Sequence, residues 1–432
     1  MNVCDIIFKT KRHEKLEREE IKWLIDGYVS GEIPDYQISA WLMAVCFNSL
    51  SDDETLCLTE VMRDSGDVLD LGRINGVTVD KHSTGGIGDK TSLVIAPVCA
   101  VCGIYVPKMS GRGLGFTGGT IDKLESIPGF EVNIDFERYI DIINKNGAAI
   151  IAQSGHLVPA DKKLYALRDV TATVDSIPLI CSSIMSKKLA TGADCILLDV
   201  KTGSGAFMKA RNDAVKLAEL MVRVGKNAGK KCRAMITDMN EPLGNAVGNA
   251  LEVMEVCDIL SGKEKGRLYE LCMELAANML ELAGKGDIAH CRKMAEDAIE
   301  SGKAFEKFKD MISAQGGNPE AADDYSLFGK PEYSYEVKAE KSGYISGINS
   351  EGIGMAALMT GAGRKKKGEK LDSTAGIILN RHKGEYTDKG DTVMTLYSSS
   401  VSDLSECARR ALNSVEITEN KPQTEPVVIG II

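Results

Sequence analysis

From about residue 70 onwards, short runs of β-branched residues closed by glycine alternate with helical stretches. These runs are GVTVDKHSTGG, GAAIIAQSG, ADCILLDVKTGSG and KCRAMITDMN. Strands that alternate with helices form parallel sheets, because each helix returns the chain to the edge at which the next strand begins. The alternation therefore predicts a large α/β lobe with a central mixed, mostly parallel sheet.

A helical pattern precedes this region. In EREEIKWLIDGYVSGEI and DYQISAWLMAVCFNSL, apolar residues recur at spacings of three and four, which is typical of amphipathic helices. We therefore expect residues 1–65 to form a small all-helical lobe.

The last quarter of the chain differs in composition from the two regions before it. Residues 316–335, GGNPEAADDYSLFGKPEYSY, contain the turn-forming and acidic residues of a linker. Behind it, glycine-punctuated segments such as AEKSGYISGI and a closing helical run predict a small C-terminal α+β module. A chain of 432 residues exceeds what one hydrophobic core usually organises, which agrees with two or three domains.

The charge balance limits the partners that the chain can bind. It has 52 basic and 62 acidic residues and a net charge of −10, so no general positive field would attract nucleic acid or an anionic membrane. The N-terminal segment becomes charged before an apolar signal sequence can develop, and no later window approaches ~18 uncharged apolar residues. Cysteines scattered from Cys4 to Cys407 suit a reducing compartment. We therefore expect a cytoplasmic protein.

The segment DKHSTGGIGDKTS, residues 80–92, begins at the end of a predicted strand and leads into an apolar helix. A glycine-rich turn at a helix N-terminus exposes backbone N–H groups that can bind an anion. The segment is not a Walker A loop, because Asp89 stands where glycine should precede Lys90, and its glycines do not have the GxGxxG spacing. By itself it is equally consistent with an anion site and with a tight turn.

A second glycine-rich segment, KMSGRGLGFTGGTIDKLES, covers residues 108–126. Its lysine and hydroxyl side chains can contact a phosphate, and its glycines permit close approach of the backbone. One such loop alone would be an ordinary flexible connection. Two loops of this composition, each with a lysine, predict that one phosphate is bound from two sides.

A third segment carries polar groups suited to a second ligand. Ser183 and Lys187 are four residues apart on a helix predicted to begin near Pro178, so they share one face. Arg168 adds a planar fork of donors that suits carbonyl oxygens. Taken alone, the pair Lys187 and Lys188 is also typical of a solvated helix face.

Four segments of the chain together carry a family resemblance: KHSTGGIGD, KMSGRGLGFTGGTIDKLESIPGF, PADKKLYALRDVTATVDSIPLICSSIMSKKLATGAD and DVKTGSGAFMK. The pattern SGRG…TGGTxDKLE within them is a highly specific signature. On these segments the chain resembles the thymidine and pyrimidine-nucleoside phosphorylases over nearly its whole length, and most closely the bacterial broad-specificity pyrimidine-nucleoside phosphorylases.

The resemblance implies a glycosyltransferase, more narrowly a pentosyltransferase, of pyrimidine salvage. Inorganic phosphate, the co-substrate, attacks C1′ of a pyrimidine nucleoside, and the products are the free base and (deoxy)ribose 1-phosphate. No organic cofactor is implied. The resemblance also implies a homodimer whose two lobes close over the substrates by a hinge motion. The implied domains are a helical lobe of residues 1–65 plus 163–193, an α/β phosphate-binding lobe of residues 70–162 plus 194–330, and a C-terminal module of residues 335–432.

The family pattern also assigns roles to individual residues. We expect His82 to act as general acid, because histidine ordinarily titrates near neutral pH, and Arg168 and Lys187 to stabilise the negative charge of the departing base. Phosphate binding is assigned to Lys81, Ser83, Gly85, Gly86, Ser92, Lys108, Ser110 and Thr120. Nucleoside binding is assigned to Leu114, Arg168, Ser183, Lys187 and Phe207.

Three positions distinguish this chain within the family. Lys108 resembles the broad-specificity enzymes, so we expect uridine, thymidine and deoxyuridine all to be substrates. Phe116 stands where much of the family has histidine, which leaves the preferred base open. At Lys90 the broad-specificity relatives have a threonine that helps to bind potassium. The other potassium ligands implied by the resemblance are Gly88, Leu243, Ala246 and Glu255.

A lysine ammonium cannot coordinate a potassium ion and would repel it. Our hypothesis is that the Lys90 ammonium takes the place of the ion against Glu255 and the neighbouring carbonyls. The alternative is that Lys90 points to solvent and that main-chain oxygens still bind the ion.

Three other functions remain open from the sequence. The chain could be a thymidine-restricted phosphorylase. It could be a phosphoribosyltransferase of the related anthranilate type, which would require magnesium and a diphosphate sugar, although its acidic metal-binding stretch is not evident. It could also be a catalytically silent nucleoside-binding protein. An intact set of charged and polar residues argues against this third alternative: Lys81, His82, Arg168, Ser183 and Lys187.

Overall fold

The structure, a computed structural model, describes residues 1–113, 115–116, 118–366 and 368–432. None of the helices in these residues has both the length and the apolar character needed to cross a membrane. The α-helices are α1 (Val3–Lys11), α2 (Arg18–Ser30), α3 (Asp35–Asn48), α4 (Asp52–Arg63), α5 (Thr91–Val101), α6 (Thr120–Glu125), α7 (Phe136–Asn146), α8 (Pro159–Arg168), α9 (Ile177–Ala190), α10 (Arg211–Asn227), α11 (Asn249–Leu260), α12 (Arg267–Leu282), α13 (Ile288–Glu300), α14 (Lys303–Ala314), α15 (Ser350–Ala357) and α16 (Ser405–Leu412). The strands are β1 (Val79–Ser83), β2 (Val106–Ser110), β3 (Ala148–Ala152), β4 (Cys195–Thr202), β5 (Lys231–Asp238), β6 (Ala246–Val247), β7 (Tyr333–Lys338), β8 (Gly343–Ile348), β9 (Gly376–Leu379), β10 (Tyr386–Thr387), β11 (Thr392–Ser398), β12 (Val415–Thr418) and β13 (Val428–Ile431).

The N-terminal helices α1–α4 form a helical bundle, as their periodicity predicts. Helix α4 begins with a capping box, in which the Ser51 hydroxyl accepts the Glu54 N–H and the Glu54 carboxylate accepts the Ser51 N–H. The apolar faces meet around the fully buried Trp41 and Leu42, and Leu164 of α8 belongs to the same core. The later helix α8 is therefore packed onto the N-terminal bundle.

The central sheet is mixed and mostly parallel, which confirms the fold class expected from the sequence. Strands β1, β4 and β5 are parallel neighbours, and β2 and β3 form a parallel pair that joins β1 through a bridge between Thr78 and Tyr105. Every residue of β4 is buried, as expected for a parallel strand with helices on both faces. Helix α12 packs on one side of β4 and α10 on the other.

The C-terminal module is built on two antiparallel sheets, with strand orders β6-β9-β11-β7 and β10-β8-β12. Its core surrounds Ile345, Ile377 and Leu396, which are fully buried. The structure differs from the expected module at its C-terminal end. Strand β13 leaves the module and pairs antiparallel with β5 of the central sheet, because the apolar β13 covers the edge that β5 would otherwise expose.

Candidate active site

A cavity of about 830 Å³ lies at the carboxyl ends of β1 and β2. In parallel sheets, ligands bind at this edge, because the loops that follow the strands meet there. The two glycine-rich loops follow β1 and β2, and both line the cavity together with residues of α8 and α9. The structure thus brings the two predicted phosphate loops and the third polar segment to a single cavity.

The first glycine-rich loop is held tightly by its surroundings. Gly88 has a φ of +70°, and a Cβ atom at this position would lie 2.5 Å from the carbonyl oxygen of Leu243. A Cβ atom on Gly86 would lie 2.1 Å from the sulfur of Met239. Both positions therefore require glycine. Most of the residues assigned to phosphate line the cavity: Ser83, Gly85, Gly86, Ser92, Lys108, Ser110 and Thr120.

Lys81 is an exception among these residues. Its ammonium is buried beneath the loop, 2.8 Å from Asp199, and it donates to the Thr91 hydroxyl at 2.7 Å. Among the described residues Lys81 is not part of the cavity lining, whereas its neighbour His82 is. Successive side chains of a strand point to opposite faces, so neighbours on β1 cannot both face the ligand. The Lys81 ammonium therefore lies beneath the loop in this structure, and its contact with phosphate stays a prediction.

The Lys81 ammonium belongs to a buried network of two lysines and two aspartates. Lys201 donates to Asp199 at 2.9 Å and lies 3.8 Å from Asp89. Burial alone would raise the pKa of both carboxyl groups, but the two ammonium groups outweigh it and lower the pKa of Asp199 and, more strongly, of Asp89. Both carboxylates therefore stay charged and balance the lysines beneath the loop. Sequence reasoning missed Asp199 and Lys201, although their i, i+2 spacing on a predicted strand was visible.

The Ser83 hydroxyl is already engaged by this network. It donates to Asp89 at 2.5 Å and accepts the N–H of Gly85 at 3.1 Å. A hydroxyl has only one hydrogen, so Ser83 cannot donate it to a phosphate while this bond persists. The side chain instead fixes the shape of the turn.

Lys108 and Lys188 share one buried carboxylate. Lys188 on α9 donates to Asp80 at 2.6 Å, and the Lys108 ammonium lies 3.6 Å from the other oxygen of Asp80. Burial and the charge of Lys188 lower the pKa of Lys108 to about 7. Lys188 is buried and does not belong to the solvated helix face that its pairing with Lys187 suggested, because its ammonium is bound to Asp80 of β1.

His82 also departs from its expected state. Burial and the positive charges of Lys188 and Lys108 lower its pKa well below the ordinary histidine value. The imidazole is therefore neutral at neutral pH in the ligand-free site, in contrast to the expectation of an ordinary titration near pH 7. The sequence showed the histidine but not the cluster of lysines around it.

Helices α8 and α9 carry three of the residues assigned to the nucleoside, which are Arg168, Ser183 and Lys187. Lys187 donates to the Ser183 hydroxyl at 3.0 Å, which agrees with their predicted common face, and to Asp161 of α8 at 2.5 Å. Asp161 is nearly buried, and its second carboxylate oxygen has no hydrogen-bond partner among the described residues. Sequence reasoning missed this aspartate because its partner lies on a different helix.

Arg168 lines the cavity but is held by the backbone. Its guanidinium donates to the carbonyl oxygens of Thr173, Val174 and Leu179, at 3.0, 2.8 and 3.1 Å. Burial lowers the pKa of Arg168. Three of its five N–H groups are thus used to fix the connection between α8 and α9, and two are left for a ligand.

The C-terminal module completes the cavity. Arg364 forms a 2.6 Å ion pair with Asp122, and its carbonyl oxygen accepts the N–H of Gly115 in the second glycine-rich loop. Arg364 and the exposed Lys365 both line the cavity. Sequence reasoning missed this contribution, although the basic run GRKKKGEK was a visible signal.

Two further residues were assigned to the nucleoside, Phe207 and Leu114, and Phe116 was named as a position that bears on the preferred base. Phe207 lines the cavity and is 52% exposed, so it offers an apolar surface. Phe116 packs against the apolar core of the C-terminal module. Leu114 lies outside the residues that the structure describes.

The residues assigned to potassium surround the side chain of Lys90. Its ammonium donates to the carbonyl oxygens of Leu243 and Ala246, at 2.9 and 2.8 Å, and to the carboxylate of Glu255 at 2.6 Å. The Gly88 carbonyl oxygen accepts the backbone N–H of Lys90 at 3.0 Å. Lys90 is buried, so the alternative in which it points to solvent does not agree with the structure.

Family profiles match the chain in three consecutive parts. They are described as "Glycosyl transferase family, helical bundle domain" for residues 5–66, "Glycosyl transferase family, a/b domain" for residues 75–305, and "Pyrimidine nucleoside phosphorylase C-terminal domain" for residues 344–418.

Curated relatives match the chain at nearly full length. The pyrimidine-nucleoside phosphorylase of Geobacillus stearothermophilus is 51% identical over 400 residues, 92% of each chain. The enzyme of the same name from Staphylococcus aureus (strain bovine RF122 / ET3-1) is 50% identical over 421 residues, 97% of each chain. That of Staphylococcus haemolyticus is 50% identical over 418 residues, 96% of each chain.

A solved structure shares the fold. Anthranilate phosphoribosyltransferase from Thermus thermophilus superposes with a TM-score of 0.58 at 19% sequence identity, and the match covers 72% of this chain and 99% of that one. At this identity the likeness concerns the fold alone.

Proposed function

Because this chain belongs to the pyrimidine-nucleoside phosphorylase family, we propose that it catalyses the reversible phosphorolysis of pyrimidine nucleosides. It is then a pentosyltransferase with inorganic phosphate as co-substrate. The observation that carries the proposal is that the glycine-rich loops with Lys108 and the Ser183 and Lys187 pair line a single cavity. An oxyanion and a heterocycle can therefore bind in the same cavity.

The reaction exchanges one bond at C1′ for another. A phosphate oxygen forms a bond to C1′ while the glycosidic bond to the pyrimidine nitrogen breaks, and the electron pair of that bond leaves with the base. Preorganised donors stabilise both charges most effectively in a site from which water is excluded. Loop amides, Lys108, Ser92, Ser110 and Thr120 bind the phosphate in this proposal.

Lys187 stabilises the negative charge on the departing base. Its ammonium is held by Asp161 and by Ser183, at 2.5 and 3.0 Å, so it is positioned before the charge develops. Arg168 contributes its two remaining N–H groups to a pyrimidine carbonyl oxygen. Phe207 covers one side of the ring.

His82 supplies the proton that the base requires. Burial and the charges of the surrounding lysines keep the pKa of His82 low in the free site, and a phosphate dianion beside it opposes the effect of the lysines. His82 therefore takes up a proton when phosphate binds and donates it to the leaving pyrimidine. Lys81 acts as a positioning residue beneath the loop, since its ammonium is held by Asp199.

The lobes contribute different substrates. We assign the base to the helical lobe, residues 1–65 plus 163–193, and the phosphate to the α/β lobe, residues 70–162 plus 194–330. The module of residues 335–432, without its final strand, closes the cavity from the side of Arg364. Closure of the lobes brings the reacting atoms together and excludes water.

The substrate range is broad in this proposal. Lys108, which resembles the residue of the broad-specificity enzymes, favours the acceptance of uridine, thymidine and deoxyuridine over restriction to thymidine. The experiment measures release of free base from each nucleoside, with and without phosphate. Phosphate-dependent release from all three supports broad phosphorolysis, release from the deoxynucleosides alone supports a thymidine-restricted enzyme, and the absence of release contradicts the proposal.

We propose a homodimer with the N-terminal helices at its interface. Helices α1 and α3 pack together, and Phe8 of α1 and Tyr36 and Phe47 of α3 are large side chains that are 50%, 74% and 82% exposed, so these helices are our candidate for the interaction surface. Light scattering of the purified protein should give twice the chain mass, and Phe47→Ser should shift the equilibrium towards monomer. A wild-type monomer at all concentrations would contradict this assignment.

No nucleic acid, membrane or organic cofactor is needed for this function, and the acidic net charge of −10 suits a cytoplasmic enzyme. Whether the protein binds potassium depends on the position of the Lys90 side chain.

A further inference from the structure

The ammonium of Lys90 lies at the centre of a cage of oxygens. Its three acceptors are two carbonyl oxygens and one carboxylate, all within 2.9 Å. An ammonium has three hydrogens, so each hydrogen has one acceptor. The carboxylate of Glu252 lies 3.9 Å away and adds negative charge.

This arrangement does not fit a potassium ion. The oxygens of Leu243, Ala246 and Glu255, which the family resemblance assigns to the ion, are the same atoms that accept from Lys90. An ion bound by them would lie next to the ammonium nitrogen. Two positive charges at such a distance repel each other strongly in a buried site.

The cage connects three parts of the protein. Lys90 is the residue that immediately precedes α5 and ends the first glycine-rich loop. Glu255 belongs to α11 and also accepts the N–H groups of Asn245 and Ala246, at 2.6 and 2.9 Å. The ammonium therefore ties the loop to α11 and to the segment before β6.

A second buried lysine extends the same connection. Lys123 of α6 forms a 2.7 Å ion pair with Glu252 and donates to the carbonyl oxygen of Asp89 at 2.6 Å. Glu252 and Glu255 lie three residues apart on α11 and so share a face. One face of α11 thus anchors both glycine-rich loops, each through a lysine.

We propose that Lys90 is a tethered replacement for a monovalent cation, which makes the shape of the phosphate loop independent of potassium. The covalent tether is permanent, so the loop keeps its shape at any potassium concentration. The proposal rests on the proposed function only where it identifies the loop with phosphate binding. The cage itself is independent of the reaction.

The test exchanges sodium for potassium at equal ionic strength and compares wild type with Lys90→Thr and Lys90→Met. Threonine removes the ammonium and offers a hydroxyl, so the cage can accept an ion, whereas methionine fills the same space with an apolar chain. We expect the melting temperature of wild type and of Lys90→Met to be the same in both salts. That of Lys90→Thr should rise saturably with potassium, as for any ligand that binds the folded state alone.

Activity provides the second measurement. In sodium, Lys90→Thr should lose about 10- to 100-fold in kcat/KM for phosphate, as is typical when a residue that orients a site is removed, and potassium should restore most of it. Lys90→Met should show no rescue. Crystals of Lys90→Thr soaked in thallium(I) should show an anomalous peak between Leu243 and Glu255, and wild-type crystals none.

Several results would overturn the proposal. One is a saturable potassium-dependent rise in the melting temperature of wild type, and another is an ion peak beside Lys90. A folded Lys90→Thr protein with no potassium response would show that the cage cannot hold an ion. The melting experiments need no substrate, so they remain decisive even if no nucleoside is cleaved.

Discussion

Lys188 of α9 donates a 2.6 Å hydrogen bond to Asp80 of β1, and both side chains are buried. This ion pair joins the wall that carries Lys187 to the strand that carries His82. The side of the cavity that we propose for the base and the side that we propose for phosphate are therefore connected by a buried ion pair.

Removal of the Lys188 charge should destabilise the protein. In Lys188→Met, Asp80 keeps only the more distant Lys108 as a partner. Removing one partner of a buried ion pair typically lowers the free energy of unfolding by about 3 to 5 kcal/mol. Urea denaturation measures the change in the free energy of unfolding. The control is Lys162→Met at an exposed position of α8, which should change that free energy by less than ~0.5 kcal/mol. Equal stability of the two variants would contradict the role of the pair.

Phosphate affinity should fall as the pH rises above about 7. The pKa of Lys108 is lowered to about 7. Its side chain is therefore a charged ammonium below this pH and becomes a neutral amine as the pH rises above it. A bound dianion favours the charged form, so binding at pH 8 should be accompanied by proton uptake. Calorimetry in buffers of different ionisation enthalpy measures this uptake.

Inorganic phosphate itself titrates in this range, so the Lys108→Arg variant is the control. Arginine stays charged throughout, and the part of the pH dependence that belongs to Lys108 should disappear. Unchanged proton uptake in Lys108→Arg would assign the titration to another group.

Asp161 should act through Lys187 and not on its own. Asp161→Asn keeps the shape but removes the charge that holds the ammonium, and we expect kcat for uridine to fall about tenfold, equivalent to ~1.4 kcal/mol. Lys187→Met, which removes the direct donor, should lower kcat by about 10² to 10³.

A double-mutant cycle distinguishes positioning from a separate role. In the Lys187→Met background, Asp161→Asn should have almost no further effect on kcat. Additive losses would mean that Asp161 contributes independently of Lys187.

The Arg364 side chain should be needed for tight phosphate binding. It pairs with Asp122, whose other carboxylate oxygen accepts the N–H of Gly113 at 2.7 Å, so Arg364→Met should loosen the second loop. We expect KM for phosphate to rise about tenfold, the effect of one lost charged hydrogen bond, with a smaller change in kcat. Arg381→Met, at a surface ion pair of the same module, should leave both constants unchanged. Equal KM values in the two variants would exclude a role of Arg364 in the loop.

The elements of the fold follow closely from local patterns. The strand and helix that flank the first loop, and the common face of Ser183 and Lys187, depend on residues only a few positions apart. Strand β13 could not be placed in this way, because its partner β5 lies far away in the chain.

The features of the site also divide into those that depend on residues close together in the chain and those that depend on distant ones. The loop residues carry a local glycine and hydroxyl signature, and the structure brings them together at one cavity, while their contact with phosphate stays a prediction. The ion pair of Lys81 could not be foreseen, because its partner Asp199 belongs to a different strand. The protonation state of His82 could not be predicted, because it depends on lysines from β2 and α9 that only the folded chain brings together.

The most direct test of the central claim is to follow uridine and phosphate with the enzyme by ³¹P NMR, while uracil is quantified in the same sample. The account predicts that ribose 1-phosphate appears in equal amount to uracil, and that Lys187→Met slows both together. Uracil without a phosphate ester would indicate hydrolysis, and this result, like the absence of any product, would contradict phosphorolysis.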